Sequence, residues 1–388
     1  MLKTLAISNY RSLQEIVMPL ERLNLVTGGN GSGKSNIYKA LRLLAETASG
    51  GVISALAKEG GLESTYWAGP KAITNAMRRG DVDIQGNQKI GNKRLKLGFA
   101  SDDFGYSVAL GITPPVPYPS AFNLDPEIKR ESIWQGNHYR PASALVERKD
   151  AMVKVREGRK WQVVNQHVPM YESMFTQVAD PSKAPEVLAM REYVKNWRFY
   201  DHFRTDVDAP ARQPQLGTRT TVMSHDGSDL AAALQTIIEI GDEAGLNEAI
   251  DQAFPGANIA IKVSEDGLFS LLFQQHGLLR PLTGKELSDG TLRFLLWVAA
   301  LLTPRPPSLM VINEPETSLH PDLLPALAKL IIKASQSTQV WVVSHSDTLI
   351  SELQYHGECH CIQLDKQFGQ TLIQGQDLLT TPSWHWPS

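Results

Sequence analysis

The residues with the clearest chemical capacity are Gly28-Gly29-Asn30-Gly31-Ser32-Gly33-Lys34-Ser35, which match G-x-x-x-x-G-K-[ST] at every fixed position. That pattern predicts a loop that captures phosphate. Its glycines let successive backbone N–H groups turn toward one anion, and the helix that must follow adds partial positive charge at its start. Lys34 is placed to reach the β- and γ-phosphates of a nucleotide, and the Ser35 hydroxyl to ligate Mg²⁺. Asn30, Gly31, Ser32, Gly33 and Asn36 complete the candidate binding set. The flanks agree: Leu23, Leu25 and Val26 read as a short apolar strand, and Ile37, Ala40, Leu41 and Leu44 recur at helical spacing.

A second group of polar residues lies in the C-terminal third. Leu287-Ser288-Asp289-Gly290-Thr291 precedes an apolar helical stretch, Leu292 to Leu302, that stops before Pro304. A buried-strand run, Ser308 to Ile312, leads into Asn313-Glu314-Pro315-Glu316. A helical pattern from Pro321 to Ala334 follows, and then the apolar run Val340 to Val343 ends in Ser344-His345-Ser346.

In this order the segments resemble the ABC ATPases: signature loop, helix, Walker B strand with its glutamate, D-loop and switch histidine. The details are similar to the RecF, SMC and OLD-nuclease branch. Asn9-Tyr10-Arg11-Ser12 looks like that branch's N-terminal turn, and Asn36 follows the phosphate loop as it does there. Glu314-Pro315-Glu316 with Ser318-Leu319-His320-Pro321, and Asp226-Gly227-Ser228-Asp229-Leu230, resemble the stand-alone ATPases related to the OLD family. The resemblance implies ATP and Mg²⁺ as cofactors and a homodimer that closes on ATP. Lys34 and Ser35 of one copy would face Ser288 and Gly290 of the other. It further implies that Glu314 activates the attacking water, that His345 contacts the γ-phosphate, and that Arg11 contacts the nucleotide near its α-phosphate.

Asn313 departs from the pattern, since most of the class has aspartate there, holding the Mg²⁺ shell by its charge. Asparagine still accepts a hydrogen bond from a metal-bound water, so Mg²⁺ at Ser35 and Asn313 is expected with slower turnover. Glu316 is a candidate for electrostatic compensation. His320 replaces the D-loop aspartate of transporters. Gln85 and Gln88 stand roughly where a Q-loop glutamine would fall.

These residues need elements to position them. The expected fold is α/β: a P-loop NTPase with an ABC ATPase head, made of a mixed central sheet with flanking helices, an antiparallel β-layer and a helical lobe. The expected division is 1–112, with the phosphate loop and β-layer; 113–214, an insertion or helical lobe; and 215–388, with signature, Walker B and switch histidine. Leu95, Leu97 and Phe99 alternate, turn at Ser101-Asp102-Asp103, and return through Tyr106, Val108 and Leu110. Ile259, Ile261 and Val263 do the same through Glu265-Asp266-Gly267 to Leu271 and Phe273. Residues 113–126 read as a proline-rich loop, and 127–214 as polar segments with short helices and no heptad repeat. His356, Cys359, His360 and Cys361 lack the second ligand pair of a zinc site. A strand from Cys359 to Leu364, returning through Thr371 to Ile373, accounts for them. Trp384 and Trp386 either pack back on the fold or face a partner.

The 42% hydrophobic and 20% charged composition is that of a folded globular chain, without an apolar run long enough to span a bilayer. Two cysteines exclude a disulfide framework, and a cytoplasmic protein without membrane partners is expected. A net charge of -3 does not mark a nucleic-acid binder, and Lys89 to Arg94 and Arg148-Lys149 read as solvated loop faces. DNA and an effector protein are the partners that the resemblance brings into play. The functions weighed are an ATPase of DNA maintenance or anti-phage defence, a slow nucleotide-controlled clamp on an effector, and a transporter motor. The residues after His345 are too few for a nuclease domain.

Overall fold

The alternating stretches around Ser101-Asp102-Asp103 form an antiparallel pair, Leu95–Ser101 with Phe104–Ile112, at the middle of a much larger sheet. The computed structural model describes residues 1–70, 75–83, 93–112, 121, 122, 124–377 and 379–387. Gln85, Gln88, Lys89 to Asn92 and most of the proline-rich 113–126 stretch lie outside these. The chain divides into two units that interleave in sequence: Met1–Glu21, Gly28–Asn196 and Ile362–Ser388 in the first, Arg22–Thr27 and Trp197–Cys361 in the second.

The first unit is built on an eight-stranded sheet. Its order is Leu13–Pro19, Leu2–Tyr10, Leu95–Ser101, Phe104–Ile112, Pro126–Gln135, Ala144–Lys149, Met152–Glu157 and Lys160–Asn165. All neighbours are antiparallel. The helix Lys34–Ser49 turns Ile37, Ala40, Leu41 and Leu44 inward, all fully buried, and packs against the helix Pro185–Lys195. The hairpin Cys359–Gln367 with Gln370–Ile373 pairs Leu364 with Ile373. Burial, and then the neighbouring Cys361, push the Cys359 thiol up to about 12. Trp384 packs edge-on against Trp134 at 5.6 Å, and Trp386 donates to Glu15 Oε1 at 3.0 Å. Both therefore fold back on the first unit.

Two sequence expectations fail in this unit. Residues 127–214 do not read out as polar segments with short helices alone, because four strands between Pro126 and Asn165 extend the large sheet. Their period of two was present in Val153 and Val155, both buried between exposed or half-exposed partners, but charged neighbours hid it. Arg148 is not on a solvated face. It stands opposite Glu131 in the register of adjacent strands, and both side chains are 0% exposed at an N–O distance of 2.8 Å. The cluster is satisfied on all sides. Arg148 also donates to the carbonyls of Asp150, Pro169 and Glu172, and Glu131 accepts from Tyr106 Oη, Ser173 Oγ and the Met174 amide.

The second unit holds a parallel sheet in the order Arg198–Tyr200, Leu309–Asn313, Gln339–Val343, Leu23–Gly28. Such a sheet is buried on both faces, which explains its continuous apolar runs. The helices Asp289–Leu301 and Leu324–Ser335 carry much of the core around it, with Leu292, Phe294, Leu295, Leu327 and Ile331 fully buried. Asn258–Val263 and Leu268–Gln274 form the second expected hairpin, extended by Gln215–Leu216 and Leu282–Thr283. Among the described residues no helix is long and apolar enough to cross a membrane.

Candidate functional site

In the first unit, the phosphate loop owes its shape to backbone that only glycine adopts freely. Gly28, Gly31 and Gly33 have φ of 141°, 76° and 112°. A Cβ on Gly33 would lie 2.1 Å from Thr371 Oγ1, whereas Gly29 and Gly31 face open space. Gly33 also caps the helix Lys34–Ser49, with no side chain on its N-terminus and no acidic residue in its first turn. The end that an anion would approach is thus left without a competing carboxylate. Lys34 is 5% exposed, and its Nζ donates to the carbonyls of Gly28 at 2.5 Å and Gly29 at 2.9 Å. The Ser32 amide closes the loop on Gly29 O at 3.2 Å. Ser32 Oγ is buried without a hydrogen-bond partner among the described residues.

The N-terminal turn lies against this loop. Asn36 Nδ2 donates to Ser12 Oγ at 2.8 Å, Ser12 Oγ and Thr371 Oγ1 are 2.6 Å apart, and Thr371 Oγ1 donates to Ser32 O at 2.7 Å. Because the Thr371 proton is committed to a carbonyl, Ser12 must donate to Thr371, and the chain runs one way from Asn36 to Ser32. Thr371 lies 339 residues from Ser32 and matches no motif, so sequence reasoning missed it. The structure brings Arg11, φ 50°, to Glu59: the guanidinium sits 2.7 Å from Glu59 Oε2, which also accepts from Tyr10 Oη at 2.7 Å.

In the second unit, the strand Leu309–Asn313 ends in a strained turn. Glu314 has φ 46° and Ser318 φ 62°, conformations that side chains other than glycine's resist. The Glu314 amide is held by Val343 O at 2.8 Å, and its carboxylate lies 3.2 Å from His345 Nε2. The two side chains stand on adjacent parallel strand ends, 42% and 36% exposed, open to a water or a ligand. Glu316, the candidate for electrostatic compensation, also anchors the neighbouring loop. Its Oε1 accepts from Ser344 Oγ at 2.8 Å and from the amides of His345 at 2.7 Å and Ser346 at 3.1 Å, fixing the loop that carries His345. Asn313 Nδ2 donates to Asp201 Oδ1 at 2.6 Å, a neighbour that the sequence did not single out.

The signature segment caps its own helix. Ser288 Oγ accepts from the Thr291 amide at 3.1 Å and meets Thr291 Oγ1 at 2.8 Å. Gly290 approaches the Ser318 carbonyl, where an added Cβ would lie at 3.4 Å. Two buried arginines fix this end of the helix. Arg212 donates to Gly284 O, Leu287 O and Asp289 Oδ1, and Arg293 to Thr317 O and Phe203 O. Asp226 and Asp229 close the turn before the helix Leu230–Ile240 through Ser224 and Ser228. There a Cβ on Gly227 would collide with Leu296 at 2.3 Å. His320 caps the turn Pro321–Leu323 from an exposed position.

Magnesium favours oxygen donors and keeps several waters. Among the described residues no group of three or more His, Cys, Asp or Glu could hold a metal alone. The donors present are a serine hydroxyl, an asparagine oxygen and carboxylates. Asn313 Oδ1, buried and without a hydrogen-bond partner among the described residues, suits a water in a magnesium shell.

A parallel sheet with a strand that runs into a glycine-rich phosphate loop, a broad antiparallel sheet, and a capped Ser-Asp-Gly helix define a P-loop NTPase of the ABC ATPase-head type. Residues 157–351, just over half of the 388-residue chain, match the family described as "AAA domain, putative AbiEii toxin, Type IV TA system". Residues 1–102 match "AAA ATPase domain". The chain belongs to the first of these families, and its fold is that of an ABC-like ATPase head. It is similar to a solved Smc head bound to the C-winged helix domain of ScpA, at 13% identity, covering 97% of this chain and 98% of that one, TM-score 0.52. It is also similar to an Smc head with an extended coiled coil bound to the C-terminal domain of ScpA derived from Pyrococcus furiosus, at 12% identity, covering 96% and 95%, TM-score 0.50. At these identities the likeness is one of fold. No curated protein sequence matches the chain.

Proposed function

We propose that this chain binds ATP with Mg²⁺ and hydrolyses it as an ATP-sandwiched homodimer that serves DNA maintenance or anti-phage defence. The observation that carries the reading is the Glu314–His345 pair, 3.2 Å apart. A strained backbone at Glu314 and the Glu316 contacts to the histidine loop hold it in place. In this reading Lys34 neutralises the β- and γ-phosphates, and Ser35 and Asn313 serve Mg²⁺, which when bound stabilises the charge on the transferring phosphoryl group. Glu314 accepts the proton of the attacking water, and His345, beside it, contacts the γ-phosphate. Ser288 and Gly290 of the second copy close the sandwich at a helix start whose acidic first-turn residue, Asp289, is paired with Arg212.

A second reading is favoured by Asn313, which brings no charge to the metal: a nucleotide-held clamp on an effector protein with slow turnover. Both readings need the dimer, and light scattering on Glu314→Gln tests it directly. With ATP and Mg²⁺ the mass should double, and with ADP or without nucleotide it should stay that of one chain. A mass that does not respond to ATP overturns the sandwich.

A further inference from the structure

Asn313 stands at the end of a strand whose parallel neighbour is Arg198–Tyr200, in a register that pairs Tyr200 with Ile312. One residue on, this register sets Asp201 beside Asn313, and the 2.6 Å bond between them follows. A carboxylate accepts hydrogen bonds and donates none when ionised. The Asn313 amide must therefore turn its NH₂ toward Asp201 and its Oδ1 away. That oxygen is the one that is buried and takes no hydrogen bond among the described residues. An acceptor left in this condition is destabilising unless a donor arrives.

We propose that Asp201 and Asn313 together make the metal-facing acceptor that a single aspartate makes in most of this class. Asp201 supplies the negative charge and fixes the amide, and Asn313 Oδ1 receives the metal-bound water. The pair divides between two strands what is usually one side chain, so Asn313 is no defect in the site. The proposal rests on the reading of the chain as a binder of Mg²⁺ and ATP. It has a reciprocal consequence. Asn313→Asp, which restores the common residue, sets two carboxylates in hydrogen-bond contact, where they cannot both ionise freely. Adding Asp201→Asn to that variant exchanges donor and acceptor and rebuilds the pair with the same net charge.

The test is metal affinity, measured without turnover. Mn²⁺ is titrated into each protein saturated with a non-hydrolysable ATP analogue and followed by electron paramagnetic resonance, and analogue binding is measured separately by fluorescence. Asp201→Asn should weaken Mn²⁺ at least tenfold, and Asn313→Asp should weaken it too. The Asp201→Asn/Asn313→Asp double variant should return to within about threefold of the starting protein. Thermal melts that match within the set show that the fold is intact, and recovery in the double variant establishes this independently. Mn²⁺ affinity unchanged in Asp201→Asn, or losses that add in the double variant, overturn the pair. Absence of analogue binding in the unaltered protein instead overturns the nucleotide reading on which the pair rests.

Discussion

Thr371 illustrates how much of the phosphate loop is set by residues outside its motif. Its hydroxyl joins Ser12 to the carbonyl of Ser32, and its side chain fills the space that Gly33 leaves. Removing the hydroxyl in Thr371→Val strands Ser32 O and Ser12 in a buried place, a loss of about 1–3 kcal/mol. ATP affinity should fall about tenfold, since about 1.4 kcal/mol is one decade, while Thr371→Ser keeps the proton and should bind within about twofold of the unaltered protein. Equilibrium binding of a fluorescent ATP analogue checks this, and equal affinity in Thr371→Val would contradict the role assigned here. The motif residues themselves were legible because their chemistry demands fixed spacing. Thr371, Asp201 and the loop contacts of Glu316 were not. Each reaches its partner through tertiary structure, 339 residues away for Thr371 and Ser32, and 112 for Asp201 and Asn313, and no local pattern marks such a partner.

Strands and helices were readable wherever one face was plainly apolar. The hairpins at 95–112 and 258–274 follow from simple alternation, and the helix Asp289–Leu301 follows from its apolar run and serine cap. The strands between Pro126 and Asn165 were obscured because inward positions include Glu131 and Arg148, charges that a sequence pattern assigns to solvent. Their burial is tolerable because each is paired and hydrogen-bonded. Breaking one partner leaves the other charge buried alone, so Glu131→Gln or Arg148→Met should lower stability by about 3–5 kcal/mol. Replacing both with apolar residues of similar volume should recover much of that. Urea denaturation of the two single variants and the double variant is the check, and single variants with unchanged midpoints would contradict the buried pair. The Tyr106 phenol, raised by burial and then by Glu131, stays a hydrogen-bond donor to this cluster throughout the neutral range.

At the scale of the whole molecule, the ABC-type head was legible because its motifs occur in a fixed order along the chain. Family membership and the likeness to Smc heads support the same architecture. The interleaving of two units in the sequence was not legible. The chain passes from one unit to the other after Glu21, Thr27, Asn196 and Cys361. The proposed function requires that Glu314 make this chain an ATPase whose work is coupled to DNA. The most direct measurement is steady-state ATP turnover with Mg²⁺, with and without double-stranded DNA, with Glu314→Gln measured in parallel. Turnover should rise with DNA and fall at least a hundredfold in the variant. Turnover no greater than that of Glu314→Gln under either condition would contradict it.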